Sequence, residues 1–203
     1  IRKGDLLVCY LIPLVMFLFF TLQSWSGSLL GHVRLVDDNG SRQNPHVLAI
    51  GFRSLTAKVK RQEKTEAHQW FIDREFEPNI LVVKPFDTVE FHQKGKPIKD
   101  LLILGRSQAY RTGDRQRVTS RDFSKKGYYQ IEEHSAPGVL GRLYVDQNDF
   151  LIRPDKRGLL RLENIPHGLY IVSIYNIINR MPLSLEVKIL EEKTTALRIN
   201  LNH

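Results

Sequence analysis

The chain has 203 residues, of which 42% are hydrophobic and 26% charged, with a formal net charge of +8. Such a length and apolar content bury a sizeable core and exclude a disordered chain. The single cysteine, Cys9, excludes an intrachain disulfide, and it leaves the sequence beyond it without a cysteine-based zinc site or thiol nucleophile.

The first element is Leu6 to Leu22, LLVCYLIPLVMFLFFTL, seventeen residues without a charge. This matches the roughly 17–25 residues of a membrane-crossing helix and exceeds the usual apolar core of a signal peptide. The segment is therefore expected to be a retained single-span anchor. Pro13 is tolerable within it, Phe17 lies near its middle, and Trp25 sits where an interfacial aromatic belongs. Arg2 and Lys3 place the N-terminus in the cytoplasm and the rest outside, which in a bacterium is the periplasm.

From Leu29 onward short alternating runs are separated by turn residues. Val33 and Leu35, then Asp38-Asn39-Gly40, then Val47 to Ile50, predict two strands around a tight turn. Residues 53–70, RSLTAKVKRQEKTEAHQW, are the one helix-compatible stretch after the anchor. Further strands are predicted at Ile80–Val83, Thr88–Phe91, Leu101–Leu104, Tyr128–Ile131, Arg142–Val145, Leu159–Leu162, Tyr170–Tyr175, Leu183–Leu190 and Thr195–Leu201. Strands at this spacing predict an all-β sandwich.

The run FEPNILVVKPFDTVEFHQKGKPIKD, followed by GYYQIEEHSAPGVLGRLYV, resembles a cupredoxin, the Greek-key β-sandwich of blue copper proteins. In that family an F-x-P-x-x-x-x-V strand leads to a G-D-x-V-x-F strand, a polar loop with the first ligand, and a final hairpin with the others. The flanking GHVRLVDDNGSRQNPHVLAIGF and DFLIRPDKRGLLRLENIPHGLYIVSIYN are similar to segments around the core of periplasmic proteins of the methylamine-utilisation-like type. The second also resembles a carboxypeptidase-regulatory or transthyretin-like module. The resemblance implies an anchor at 1–27, a cupredoxin-like sandwich with additional strands at 28–147, and a transthyretin-like β segment at 148–203.

A blue copper centre takes two imidazoles, a thiolate and a weak axial ligand. Here the resemblance puts Lys99 or Asp100 at the first histidine position and Glu133 nearest the cysteine position, with no methionine following. The copper is therefore expected to be lost, and no cofactor is expected. His92, Glu133 and His134 remain weak candidates for zinc or a non-blue copper, since imidazole and carboxylate suit those ions. No H-x-H or H-x3-H spacing supports them. Nor is there a G-x-S-x-G elbow, a phosphate-binding glycine loop or an H-E-x-x-H motif, so no enzyme is expected.

Charge is the remaining feature. Between Lys94 and Lys126 ten basic residues face three acids. Outside a membrane such a band meets anionic lipid headgroups or acidic protein surfaces sooner than nucleic acid. Arg106, Arg111, Arg115, Arg117, Arg121, Lys125 and Lys126 are the expected contact residues. No small-molecule substrate is indicated. Two functions remain open: a non-catalytic accessory subunit bracing integral-membrane partners, photosynthetic or respiratory, in a bacterial inner membrane, or a copper-binding redox or copper-handling periplasmic protein.

Overall fold

A computed structural model describes residues 26–36, 42–43, 48–56, 65–73, 75–94, 100–105, 109–111, 118–134, 136–176, 180–191 and 193–202. The anchor residues Leu6, Pro13, Phe17, Leu22 and Trp25 lie outside them. Within the described residues the protein is all-β, and no helix there is long and apolar enough to cross a membrane.

Strands form four sheets, and the sheets form two cores. In the outer sandwich, β1 (Ser26–Val36) runs parallel to β17 (Thr194–Asn202) and antiparallel to β14 (Leu159–Pro166), with the short β2 (Arg42–Gln43) at its end. Its second sheet has the order β13 (Phe150–Ile152), β3 (Ala49–Ser54), β15 (Gly168–Tyr175) and β16 (Leu183–Ile189). Period-2 alternation decides which face packs. Along β17, Leu197, Ile199 and Leu201 are buried while Ala196, Arg198 and Asn200 are exposed, and the buried set meets Val33, Phe52 and Val172.

Residues 67–145 close on themselves as the inner sandwich. One sheet has the order β10 (Val118–Asp122), β7 (Thr88–Gln93), β4 (Ala67–Ile72), β5 (Phe76–Glu77). The other runs β6 (Ile80–Val83), β12 (Ala136–Val145), β11 (Gly127–Glu133), β8 (Leu101–Gly105), β9 (Ala109–Arg111). The pairs β4 with β7 and β6 with β12 are parallel. The core is aromatic. Trp70 stacks on Phe76 at 4.1 Å between ring centroids, and its indole N–H donates to the Pro78 carbonyl at 2.7 Å. A side chain that large, fully buried, stabilises by roughly 3 kcal/mol or more. Gly141 on β12 is required there, because a Cβ would lie 2.7 Å from Phe76 and 2.9 Å from Trp70.

The pairing differs from the sequence expectation in three places. The strands at 26–54 share sheets with those at 150–202, rather than with the segment up to 147. β6 and β12 pair within the inner sandwich, and the flanking strands pair with each other. Across residues 37–41, β1 meets β2, while β3 joins the opposite sheet, so the expected hairpin partner is replaced. The helix-compatible stretch 53–70 begins and ends in strands, β3 and β4, and its middle, 57–64, is outside the described residues.

Where the two sandwiches meet, Ala49, Ile80, Val82, Tyr144 and Tyr175 form a third cluster. Hydrogen bonds reinforce it. Tyr144 donates to the Asn176 carbonyl at 2.9 Å, Tyr175 donates to Asp146 Oδ2 at 2.8 Å, and Arg153 donates to the carbonyls of Leu48 and Ile80. Burial pushes the Tyr144 and Tyr175 hydroxyls up, so both remain neutral donors.

Candidate functional site

The resemblance directs attention to one end of the inner sandwich, where Asp100, just before β8, meets His134 at the end of β11. Asp100 precedes β8 and is 5% exposed. Its carbonyl accepts from the His134 N–H at 2.9 Å, which holds Asp100 against the end of β11. Leu101 pairs with Glu133, and β9 pairs back on β8 so that Arg111 stands beside Leu102. From there Arg111 Nε donates to Asp100 Oδ2 at 2.9 Å, and Nη2 donates to the same oxygen. Asp100 Oδ1 is buried and has no hydrogen-bond partner among the described residues.

This arrangement does not suit copper. A guanidinium is fixed where the resemblance places a ligand set, and the carboxylate beside it is already engaged. His92 stands on the outward face of β7, its Nε2 bonded to Glu90 Oε2 at 3.0 Å and its ring 5.0 Å from that of Phe71. Glu133 ends β11 in the opposite sheet, and His134 is the turn residue after it. The three weak metal candidates are thus not brought together, and no group of three or more His, Cys, Asp or Glu suited to a metal occurs among the described residues. Glu132 accepts from Gln130, whose carbonyl accepts from Tyr128 at 3.2 Å, forming a ladder along β11.

The basic band is described only in part. Arg111 is tied to Asp100, and Lys126 reaches Asp146 Oδ1 at 3.4 Å. Arg121 is half-buried and Lys125 exposed. Arg106, Arg115 and Arg117 lie outside the described residues, as does Lys99.

Sequence reasoning missed a second feature, a cleft of about 160 Å³ along the joint of the sandwiches, lined by Glu66, His68, Val82, Lys84, Asp87, Asp146, Asp149 and Leu151 among others. Its organiser is Asp87, 2% exposed. Oδ1 accepts from the Glu66 N–H, and Oδ2 accepts from the Lys84 N–H and from His68 Nε2. Burial alone would raise the Asp87 carboxyl. The donors outweigh burial and hold it below its ordinary value. The same carboxylate closes the turn Lys84-Pro85-Phe86-Asp87, in which the Asp87 N–H donates to the Lys84 carbonyl at 3.1 Å and Phe86 has φ +74°. Proline second and a left-handed residue third is the arrangement of a type II turn, a position that favours glycine. At about 160 Å³ the cleft is smaller than the roughly 300–1,000 Å³ of small-molecule sites. Compared with known proteins, the chain matches no family model and no curated protein.

Proposed function

We propose that the chain is a non-catalytic accessory subunit of a bacterial membrane complex, carrying a periplasmic cupredoxin-like sandwich on a single-pass anchor. The observation that carries this reading is the Arg111–Asp100 ion pair. It occupies the end of the sandwich where the resemblance would put metal ligands, so that end is closed by protein charge rather than by an ion. The chain order also supports it: β6, then β7, a polar connection, and the final β11–β12 hairpin follow the sequence of parts that the resemblance implies. A bracing role suits the joint, since hydrogen bonds from Tyr144, Tyr175 and Arg153 tie the inner sandwich to the outer one.

The membrane part of the reading rests on Leu6 to Leu22, and the basic residues from Arg106 to Lys126 are assigned to anionic headgroups or acidic partner surfaces. Two measurements test the proposal. Protease added outside spheroplasts removes the mass after Gln23, whereas full protection reverses the topology. The full chain, purified after growth in copper, carries no stoichiometric metal; one tightly held equivalent overturns the accessory reading in favour of copper handling.

A further inference from the structure

Phe86 combines two unfavourable features. A bulky residue in the left-handed region is strained, and a phenyl ring that is 63% exposed gains little from burial. Yet its turn is heavily determined. Besides the bonds made by Asp87, the Phe86 N–H donates to the Phe123 carbonyl at 2.7 Å, and the Phe123 N–H donates to the Asp87 carbonyl at 3.2 Å. Glycine would satisfy the same turn without strain. The fold thus holds an exposed aromatic side chain on a turn whose two ends, Lys84 and Asp87, line the cleft.

Leu151, itself part of the lining, is a second exposed apolar side chain, at 45%. The lining carries Glu66, Asp87, Asp146 and Asp149 against Lys84 and His68, with Lys126 reaching Asp146, so it is acidic on balance in a chain whose net charge is +8. An exposed aromatic side chain on a well-determined turn, with an apolar neighbour and a rim of net negative charge, is the anatomy of a protein-docking hot spot. The sign of the rim selects among occupants. Carboxylates repel anionic headgroups and nucleic acid, and they attract guanidinium or ammonium groups. The floor is too small for a sizeable ligand but admits one extended side chain.

We propose that this cleft docks a basic segment of a partner protein, with an arginine or lysine entering beside Glu66 while Phe86 and Leu151 pack on apolar side chains flanking it. The surface is separate from the basic band and does not depend on the membrane reading, whose topology and metal tests leave it untouched.

The test is a selection from a phage-displayed library of random twelve-residue peptides on the full chain in detergent micelles, with counter-selection on Phe86→Gly. Peptides kept by wild type and lost by the variant are expected to be rich in Arg and Lys beside an apolar residue. As fluorescein-labelled synthetic peptides they bind at least tenfold more weakly to Phe86→Gly and to Glu66→Lys, and binding weakens as salt rises. Glu66 is exposed and contributes only its backbone N–H to the turn, so Glu66→Lys is a control that keeps the fold. Enrichment of acidic or uncharged peptides, equal binding to both variants, or no peptide surviving counter-selection overturns the proposal.

Discussion

Arg111 places two N–H donors on a single carboxylate oxygen of Asp100, one residue 59% exposed in its side chain and the other 6%. The asymmetry sets the energetics. Removing the arginine strands a buried charge whose other oxygen, Oδ1, already lacks a hydrogen bond, while the guanidinium itself loses little by returning to water. Because one partner is largely solvated, Arg111→Met is expected to cost about 1–3 kcal/mol rather than the full cost of a buried pair. Asp100→Leu combined with Arg111→Met recovers most of that loss, since an apolar pair leaves no stranded charge. Urea melts of the single and double variants decide it, and additive losses would show that the two side chains do not act as a pair.

The same geometry predicts the behaviour of Glu133→Cys. Glu133 pairs with Leu101, next to an Asp100 that is already held by Arg111, and no group of three or more His, Cys, Asp or Glu suited to a metal gathers there among the described residues. A trigonal thiolate–imidazole plane is the source of the intense blue band. Copper(II) added to this variant is expected to give no strong visible charge-transfer absorption, and a blue solution would show that the ligand positions were misassigned.

Arg111 also illustrates what a linear reading sees and what it does not. Strands such as Ile80–Val83 and Tyr170–Tyr175 were legible because a largely apolar, β-branched and aromatic run of four or more residues reports a strand buried on both faces. The two- and three-residue strands β5, β9 and β13 were not, since so few residues carry no period. Arg111 stands in a run of cations and reads as a solvent-facing docking residue; it is exposed, and β9 also folds it onto Asp100. Only strand pairing reveals that contact. Asp87 is a similar case: its three donors come from Glu66, His68 and Lys84, two of them about twenty residues away in sequence. The one local clue was Pro85-Phe86-Asp87, in which phenylalanine stands where the resembled family's pattern has glycine.

Asp87 makes stability sensitive to acid, with a definite sign. Its folded-state carboxyl lies below the ordinary value of 3.8, so its contribution is fully present above that value and is lost as pH falls through the lowered one. Melting temperature is expected to drop below about pH 4. In Asp87→Asn that dependence is reduced. At neutral pH the same variant is weaker by about 1–3 kcal/mol, because an amide nitrogen faces N–H donors. Thermal melts from pH 7 to pH 3 measure both effects, and parallel acid profiles for the two proteins would remove Asp87 from the account.

Phe86→Gly should move stability the other way. It relieves a left-handed phenylalanine worth about 1–3 kcal/mol of strain, offset by roughly 0.5–1 kcal/mol of added chain entropy in the unfolded state. The net expectation is a small stabilisation, read as a higher urea midpoint with unchanged slope. A destabilised variant would mean that the exposed ring contributes packing to the fold, and its conformation would then need no functional explanation.

The joint between the sandwiches makes the last prediction. Gly51 on β3 lies under Asn148, whose amide donates to the Tyr175 hydroxyl at 2.9 Å, while Tyr175 in turn donates to Asp146. A Cβ at position 51 would sit 2.2 Å from Asn148 Oδ1 and 2.4 Å from its Cγ, so the asparagine must leave and its bond to Tyr175 must break. Alanine normally gains on glycine in a strand by roughly 0.5–1 kcal/mol. Here Gly51→Ala is expected instead to lose about 1–3 kcal/mol, from a displaced side chain and a stranded polar group at 7% exposure. Asn148→Ala empties the space the new methyl needs. Added to Asn148→Ala, the Gly51→Ala change should therefore cost almost nothing. A urea-denaturation double-mutant cycle measures this coupling. Strict additivity would mean that β3 shifts to accept the methyl and that Asn148 does not lock the joint.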